Sequence, residues 1–428
     1  MNENVHEVCL FITHSFPSIG SANSLCDEKL IRYRAETTKV IVLCYRFLGQ
    51  DKHQIEGNIE IFRVSKDEFW WIERIARSPR GGTFSKIFTK LICRIRQVLY
   101  LPLFPNYEPI AVLVLSSKAK KIIRKLGVTR LFADFNGTDT LLGGRKAAKK
   151  TKIDFYPIFW DGMSFGQRSH YVPKRMNDKR KKKLESKVIL DSKCAIFLDS
   201  CKEKINSDYS NCPEIFGKIR FIGLPLFDTT SVECPAANKK GEMVQITYGG
   251  DLNNRDFSML LNAIDNSPES KKIRVNFYPT AGTAEEIKKI SAFNFVAVHH
   301  HLSASEFEKK CLEANALIAA GVKNPYLPSA KVFRIISLGK PLIYLCRNPK
   351  DCLLDAVKQY PLSYIVYEGD GGETAQGVVP FILQNLSSSV PASTIENIYY
   401  KNTPRAFWKT VDDELDLARE QKKRTISA

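Results

Sequence analysis

The chain of 428 residues carries 64 Lys and Arg against 46 Asp and Glu, a formal net charge of +18, and is 44% apolar. That length predicts two or three domains and that apolar content suffices for well-buried cores, so a globular enzyme is the default class. No apolar run approaches the roughly 18 residues of a membrane-spanning helix, and the opening MNENVHEV lacks the basic and apolar regions of a signal peptide, so the expected compartment is the cytosol.

The charge is uneven along the chain. Residues 51–200 hold 31 Lys and Arg against 15 Asp and Glu, whereas residues 201–428 hold 28 against 26. A basic N-terminal half beside a neutral C-terminal half implies one domain that faces an anionic partner, with lipid headgroups and nucleic acid as the candidates. The 11 cysteines form no C-x-x-C pair, and several sit inside apolar runs such as VCLFI and VLCY, which predicts reduced, mostly buried thiols and no structural zinc.

In chain order, Val8 to Thr13 reads as a strand, HSFPSIGSANSLCDEKLIRYRAE as a loop and helix, and KVIVLCY as the next strand. This opening predicts a parallel α/β sheet. Gly20 is the only glycine in its loop, so the G-x-G-x-x-G pattern of nicotinamide and flavin sites is missing and no cofactor is expected. His14 reads as a loop histidine with its bonds satisfied rather than a base. Farther on, Phe84, Ile87, Phe88, Leu91, Ile92, Ile95, Val98 and Leu99 form one helical stripe, with Lys86, Lys90, Arg94 and Arg96 largely off it. Two readings stay open: the stripe packs on the core, or part of it rests, with Phe69, Trp70 and Trp71, on an anionic membrane surface.

IAVLVLSS then reads as a strand, KAKKIIRKLG as a basic helix, RLFADF as a strand, NGTD as a loop, TLLGGRKAAKK as a helix and IDFYPIFWDG as a strand. Ligands of parallel sheets bind beyond the carboxyl ends of strands, which sends Asn136, Thr138 and Asp161 toward one crevice. Asp161 is either an acid/base group or a cap on the next helix. The basic run RSHYVPKRMNDKRKKKLESK is a solvated helix face or a binder of lipid phosphate or nucleic acid. CAIFLDS and KIRFIGLPLFD close the first half, and SVECPAANKKGE reads as a linker.

The second half opens with MVQITYGGDLNNRDFSMLLNAID, read as a strand, a turn at Gly249 and Gly250, and a helix from near Arg255. The two glycines would let the backbone approach a ligand closely. His299, His300 and His301 are consecutive, so they cannot all face one ion and no metal site is expected. In NPYLPSAKVFRIISLGKPLIYL, residues 324–345, Val332, Phe333, Ile335, Ile336 and Leu338 lie at helical spacing, Ser329 stands at the N-cap, and Gly339 and Pro341 end the helix. The helix start, the Ser329 hydroxyl and the Lys331 ammonium together make a receptor for an anion such as phosphate. The GKP at 339–341 is no Walker A motif, because no glycine lies five residues earlier and no Ser or Thr follows Lys340. Near the end of the chain, Asp412, Asp413 and Asp416 read as a solvated acidic helix face.

This last segment resembles the C-terminal half of GT-B glycosyltransferases, close to the family 4-like group of bacterial polysaccharide-building enzymes, whose sequences read roughly P-S-K-x-F-E-x-x-x-x-G-K-P. Pro328, Ser329, Lys331, Phe333, Gly339, Lys340 and Pro341 carry the match. The resemblance implies an α/β chain of two Rossmann-like domains facing a cleft, about 1–232 and 240–385, followed by a segment 386–428 whose helix crosses back to the first domain. It implies glycosyl transfer from a nucleoside diphosphate sugar to a lipid-linked or saccharide acceptor, during synthesis of a bacterial surface polysaccharide at the inner face of the membrane.

On that resemblance, Gly249, Gly250, Arg255, Ser329 and Lys331 hold the donor diphosphate without metal, and His300 or His301 lines the base pocket. Ser18, Gly20 and Ser21 line the cleft with Asn136 and Thr138, and Asp161 is the acid/base group. Where many members carry a glutamate that contacts the ribose, this chain has Arg334, included here among the donor-binding residues. That departure leaves a rival reading, a GT-B-like binding protein without activity. Nucleic-acid binding is the other rival, and against it the basic residues are not interleaved with an aromatic strand platform, so no nucleic-acid partner is expected.

Overall fold

The computed structural model describes residues 7–18, 22–47, 49–65, 87, 91, 92, 94, 95, 98–106, 108–163, 169, 171–227, 243–253, 255–324, 326 and 328–414. The chain divides into two compact units, Met1–Pro225 together with Pro404–Ala428, and Leu226–Thr403. The division thus falls just before the expected 232, and residues 386–403, expected in a separate terminal segment, belong to the second unit.

Among the described residues, unit 1 is built on eight strands: β1 (Val8–Ile12), β2 (Lys39–Tyr45), β3 (His53–Glu56), β4 (Ile59–Val64), β5 (Arg130–Asp134), β6 (Asp154–Phe159), β7 (Ala195–Leu198) and β8 (Ile219–Ile222). Their order is β3-β4-β2-β1-β5-β6-β7-β8, parallel except for the β3–β4 hairpin. VCLFI, KVIVLCY and AIFL read as unbroken apolar runs because helices cover both faces of such a sheet.

One expectation is overturned here. IAVLVLSS, expected as a strand, is the first half of the helix Pro109–Leu126. Pro109 stands in the first turn, where a missing N–H costs nothing, and the buried positions Ala111, Val112, Leu115, Ala119, Ile122 and Ile123 repeat at helical spacing. This helix packs on Thr138–Thr151, where a Cβ on Gly143 would lie 2.9 Å from Leu115 Cβ. Gly143 is therefore a close-packing glycine.

Residues 404–414 are helical and return to unit 1. The Trp408 indole N–H donates to the Leu30 carbonyl at 3.0 Å, and the Arg34 guanidinium lies 4.6 Å from the Trp408 ring centroid. Asp412, expected on a solvated face, pairs with Arg34 at 3.0 Å and Arg130 at 2.8 Å. An aromatic anchor with a charge network around it fixes this helix on the sheet.

Unit 2 carries β9 (Val244–Asp251), β10 (Ile273–Ala281), β11 (Val296–Val298), β12 (Ala316–Ala320), β13 (Leu342–Cys346) and β14 (Ser363–Tyr367). The order β11-β10-β9-β12-β13-β14, all parallel, reverses direction between β9 and β12, the switch point at which such sheets bind ligands. Both units are Rossmann-like. Seven of the nine described cysteines are buried and none of the nine is paired. Among the described residues no helix is long and apolar enough to cross a membrane.

Candidate active site

At the switch point of unit 2, Gly249 and Gly250 lie inside β9 rather than in a turn, and the following helix starts at Ser258 instead of near Arg255. Gly249 has a packing reason: a Cβ there would overlap the Phe307 ring. Gly250 has a different surrounding. A Cβ on it would lie 2.9 Å from the Tyr248 hydroxyl and 3.2 Å from Lys331 Nζ. Tyr248 donates to the Asp251 carbonyl at 2.8 Å and accepts from the Arg255 guanidinium.

Lys331 and Arg255 are thus gathered around one bare stretch of backbone. Lys331 is solvent-accessible as a whole residue, yet the protein packed about its ammonium, and secondly the Arg255 charge, lower its pKa, with Asp251 opposing. Two cations that repel each other are poised for a doubly charged anion. Burial raises the Tyr248 pKa, so its hydroxyl stays protonated and able to hold Arg255.

Lys331 comes from the helix Ala330–Ile336, which starts where expected. Ser329 is the N-cap, but its hydroxyl makes no capping bond. The helix ends through Gly339 at φ +70°, and a Cβ there would lie 2.6 Å from the Val390 carbonyl oxygen. Lys340 is structural, its Nζ donating to the carbonyls of Leu312 and Ala314 at 2.6 and 2.7 Å.

Arg334 is exposed and pairs with Glu308 on the helix Ala304–Glu313. In the run of three histidines, His299 is tied down: Nε2 is 2.9 Å from Asn276 Oδ1 and the ring stacks on Tyr278 at 4.6 Å. Burial, then the Arg274 charge, lower its pKa. His300 and His301 are exposed. Beside Arg255 opens a cavity of about 370 Å³ lined also by Lys323, Arg347, Glu286 and Glu368. Among the described residues no three His, Cys, Asp or Glu side chains come together as a metal site.

In unit 1 the helix Ala22–Ala35 collects the expected residues beyond the strand ends. Asn23 hydrogen-bonds Asp161, and Ser24 accepts from Asn136 at 3.3 Å. Burial raises the Asp161 pKa, with the Asn23 bond opposing. Thr138 turns elsewhere, donating to the Pro105 carbonyl at 3.2 Å. The Ser18 N–H donates to Glu28 at 2.8 Å, while Gly20 and Ser21 lie outside the described residues.

No family model and no curated protein matches the sequence. Among solved structures the chain is similar to a glycosyltransferase from Rickettsia africae, at 12% identity and a TM-score of 0.61, over 96% of this chain and 99% of that one. It is similar to HepE from Anabaena in complex with UDP and glucose, at 10% identity and 0.57, over 95% and 100%. It is also similar to the lipopolysaccharide outer core galactosyltransferase WaaB, at 12% and 0.54, over 96% and 99%. The fold is GT-B.

Within this GT-B chain, three groups escape sequence reasoning. Tyr248 sits in an apolar run and reads as core, although its hydroxyl holds Arg255. Arg347, directly after β13, pairs with Glu368 at 2.9 Å, and its place at a strand's carboxyl end is the signal that could have found it. The third is a buried acidic cluster. Thr13 donates to Asp27 at 2.7 Å and lies 3.4 Å from Asp134, and Tyr45 donates to Asp139. Burial pushes Asp27 up to about 6 and Asp134 well above the usual range, and the two carboxyls hydrogen-bond each other through a retained proton.

Proposed function

We propose that the chain transfers a glycosyl group from a nucleoside diphosphate sugar to the hydroxyl of a lipid-linked or saccharide acceptor, in the synthesis of a bacterial surface polysaccharide. The observation that carries this is the gathering of Lys331 and Arg255 over the bare Gly250 backbone at the β9/β12 switch point. As the sugar leaves, the diphosphate gains negative charge, and cations already in place stabilise that charge without reorganising. HepE, with UDP and glucose, and WaaB, a lipopolysaccharide galactosyltransferase, support the donor class and the setting.

Asp161 supplies the acid/base group in this reading, its raised pKa keeping proton exchange nearer neutrality. The basic half meets an anionic membrane. In support, Ile87, Leu91, Ile95, Val98 and Leu99, at helical spacing, are 51% to 69% exposed rather than packed on the core. Ile92 of the same stripe is half-buried, while Phe84, Phe88, Phe69, Trp70 and Trp71 lie outside the described residues.

The rival reading, binding without turnover, draws on Arg334, which is engaged with Glu308. The deciding experiment is release of nucleoside diphosphate from a panel of nucleotide sugars, with thermal shift to select the donor. Turnover with one donor, lost on Asp161→Asn, is the expected result. Tight donor binding without release from any sugar, with or without added acceptors, would favour the rival.

A further inference from the structure

Strand β4 alternates buried and half-buried residues, with Ile59, Ile61 and Arg63 on the buried side. The alternation calls for an apolar residue at 63, and an arginine only 5% exposed stands there instead. Among the described residues its guanidinium finds neutral partners: the carbonyls of Asp51 at 3.2 Å and Phe16 at 3.1 Å, Gln54 Oε1 at 3.0 Å, and the Cys44 thiol. Its Nε–H has no partner, and no carboxylate among the described residues pairs with it. The neighbouring Cys44 thiol is pushed up to about 11 by burial, so it does not ionise to balance the charge. A charge held this way is costly, and such local exceptions gather at functional sites.

Arg63 is not alone. A cavity of about 430 Å³ is lined, among the described residues, by Arg46, Lys52 and Arg63, by Ser65, and by apolar Val64, Ile110 and Val114. It opens at the carboxyl ends of β2 and β4, the sheet edge to which Asp161 also belongs at the end of β6.

We propose that this cavity binds a phosphate group, carried by the acceptor of the transfer reaction. Phosphate offers oxygens on several sides and so can accept from three cations and a hydroxyl at once, where a carboxylate offers two oxygens in one plane. The apolar wall suits an aliphatic carrier beside the phosphate. The anion site stands on unit 1 alone, while the role of its ligand as acceptor rests on the transfer reading.

The test uses the full chain carrying Arg255→Ala and Lys331→Ala, which removes the cations of unit 2. Inorganic phosphate and dihexanoyl phosphatidic acid are titrated calorimetrically at ionic strength fixed with chloride. Saturable binding of either probe at one site is expected, and the tighter probe identifies the carrier as free phosphate or lipid. Lys52→Glu, an exposed substitution that leaves folding intact, should weaken it at least about tenfold, as losing a charged contact does. Arg63→Gln should abolish it, with circular dichroism to verify the fold. No saturation, an unchanged constant in Lys52→Glu, or tighter binding of glucuronate than of either phosphate overturns the proposal. UDP binding by chains with unit 2 intact is read separately: its loss refutes the transfer reading, and its survival in Lys52→Glu shows that two anion sites are distinct.

Discussion

The Trp160 indole N–H donates to Asp27 Oδ1 at 2.9 Å, tying the residue that follows β6 to the helix Ala22–Ala35 beside a carboxyl pair that shares a proton. Asp27 rises from an ordinary 3.8 to about 6 on folding, and Asp134 rises too. Between those values the native state binds more protons than the unfolded chain, so stability falls as pH rises. The loss begins near pH 4 and runs through about pH 6 for Asp27, and the raised Asp134 carboxyl adds to it in the same direction. Asp27→Asn keeps an acceptor for Trp160 and Thr13 but removes one charge. Urea unfolding should find it more stable than the parent at pH 8, by about 2 kcal/mol, with a flatter pH profile. A variant less stable than the parent at every pH would show that the pair does not hold a strained proton.

Gly249 offers a packing test. Gly249→Ala drives a methyl into the Phe307 ring and should destabilise unit 2 by about 1–3 kcal/mol, as overpacking does. Phe307→Leu in the same chain should recover much of that, since the two side groups compete for one space. Strict additivity in the double variant would mean that the glycine is there for another reason, including ligand approach.

These cases show what the sequence disclosed. Apolar runs and their breakers sufficed for a pair of parallel sheets, and the spacing around Val332 to Leu338 located the helix that carries Lys331. They misled at Pro109–Leu126, because a continuous apolar run has no period to distinguish strand from buried helix. At the proposed site, Lys331 was read from its place at a helix start, and Arg255 from the family resemblance. Tyr248, Asp27 and Asp134 were not legible, because what makes them unusual is a partner 3 to 121 residues away.

The exposed stripe from Ile87 to Leu99 leads to a vesicle experiment. Leu91 and Ile95 are 52% and 51% exposed, and Arg94 between them is exposed as well. Sedimentation with phosphatidylglycerol vesicles should show binding that weakens as salt rises, since charges near an anionic surface contribute about 1 kcal/mol each and are screened. Leu91→Glu with Ile95→Glu should reduce the bound fraction at least about tenfold at constant salt, by adding repulsion and removing apolar insertion. Equal binding to neutral vesicles at every salt concentration would remove the electrostatic part of the reading.

The two cations proposed to hold the donor allow a sharper separation of roles. Lys331 Nζ and the Arg255 guanidinium both surround the Gly250 backbone, but Arg255 is held there by the Tyr248 hydroxyl, itself braced on the Asp251 carbonyl. Charge that grows on the leaving diphosphate is felt most in the transition state, so Lys331→Ala should lower kcat by about 100-fold or more while the chain stays folded. Arg255→Ala should weaken nucleoside diphosphate binding more than nucleoside binding, because only the former carries phosphates. Tyr248→Phe leaves both cations in the chain and frees the Arg255 head, so its effect should fall on donor KM, several-fold, with a smaller change in kcat. Adding Tyr248→Phe to Arg255→Ala should then cost almost nothing more, since the hydroxyl has lost the group it positions. If the two substitutions instead weaken donor binding independently, Tyr248 acts on the donor directly; if neither cation variant changes binding or turnover, the diphosphate is held elsewhere.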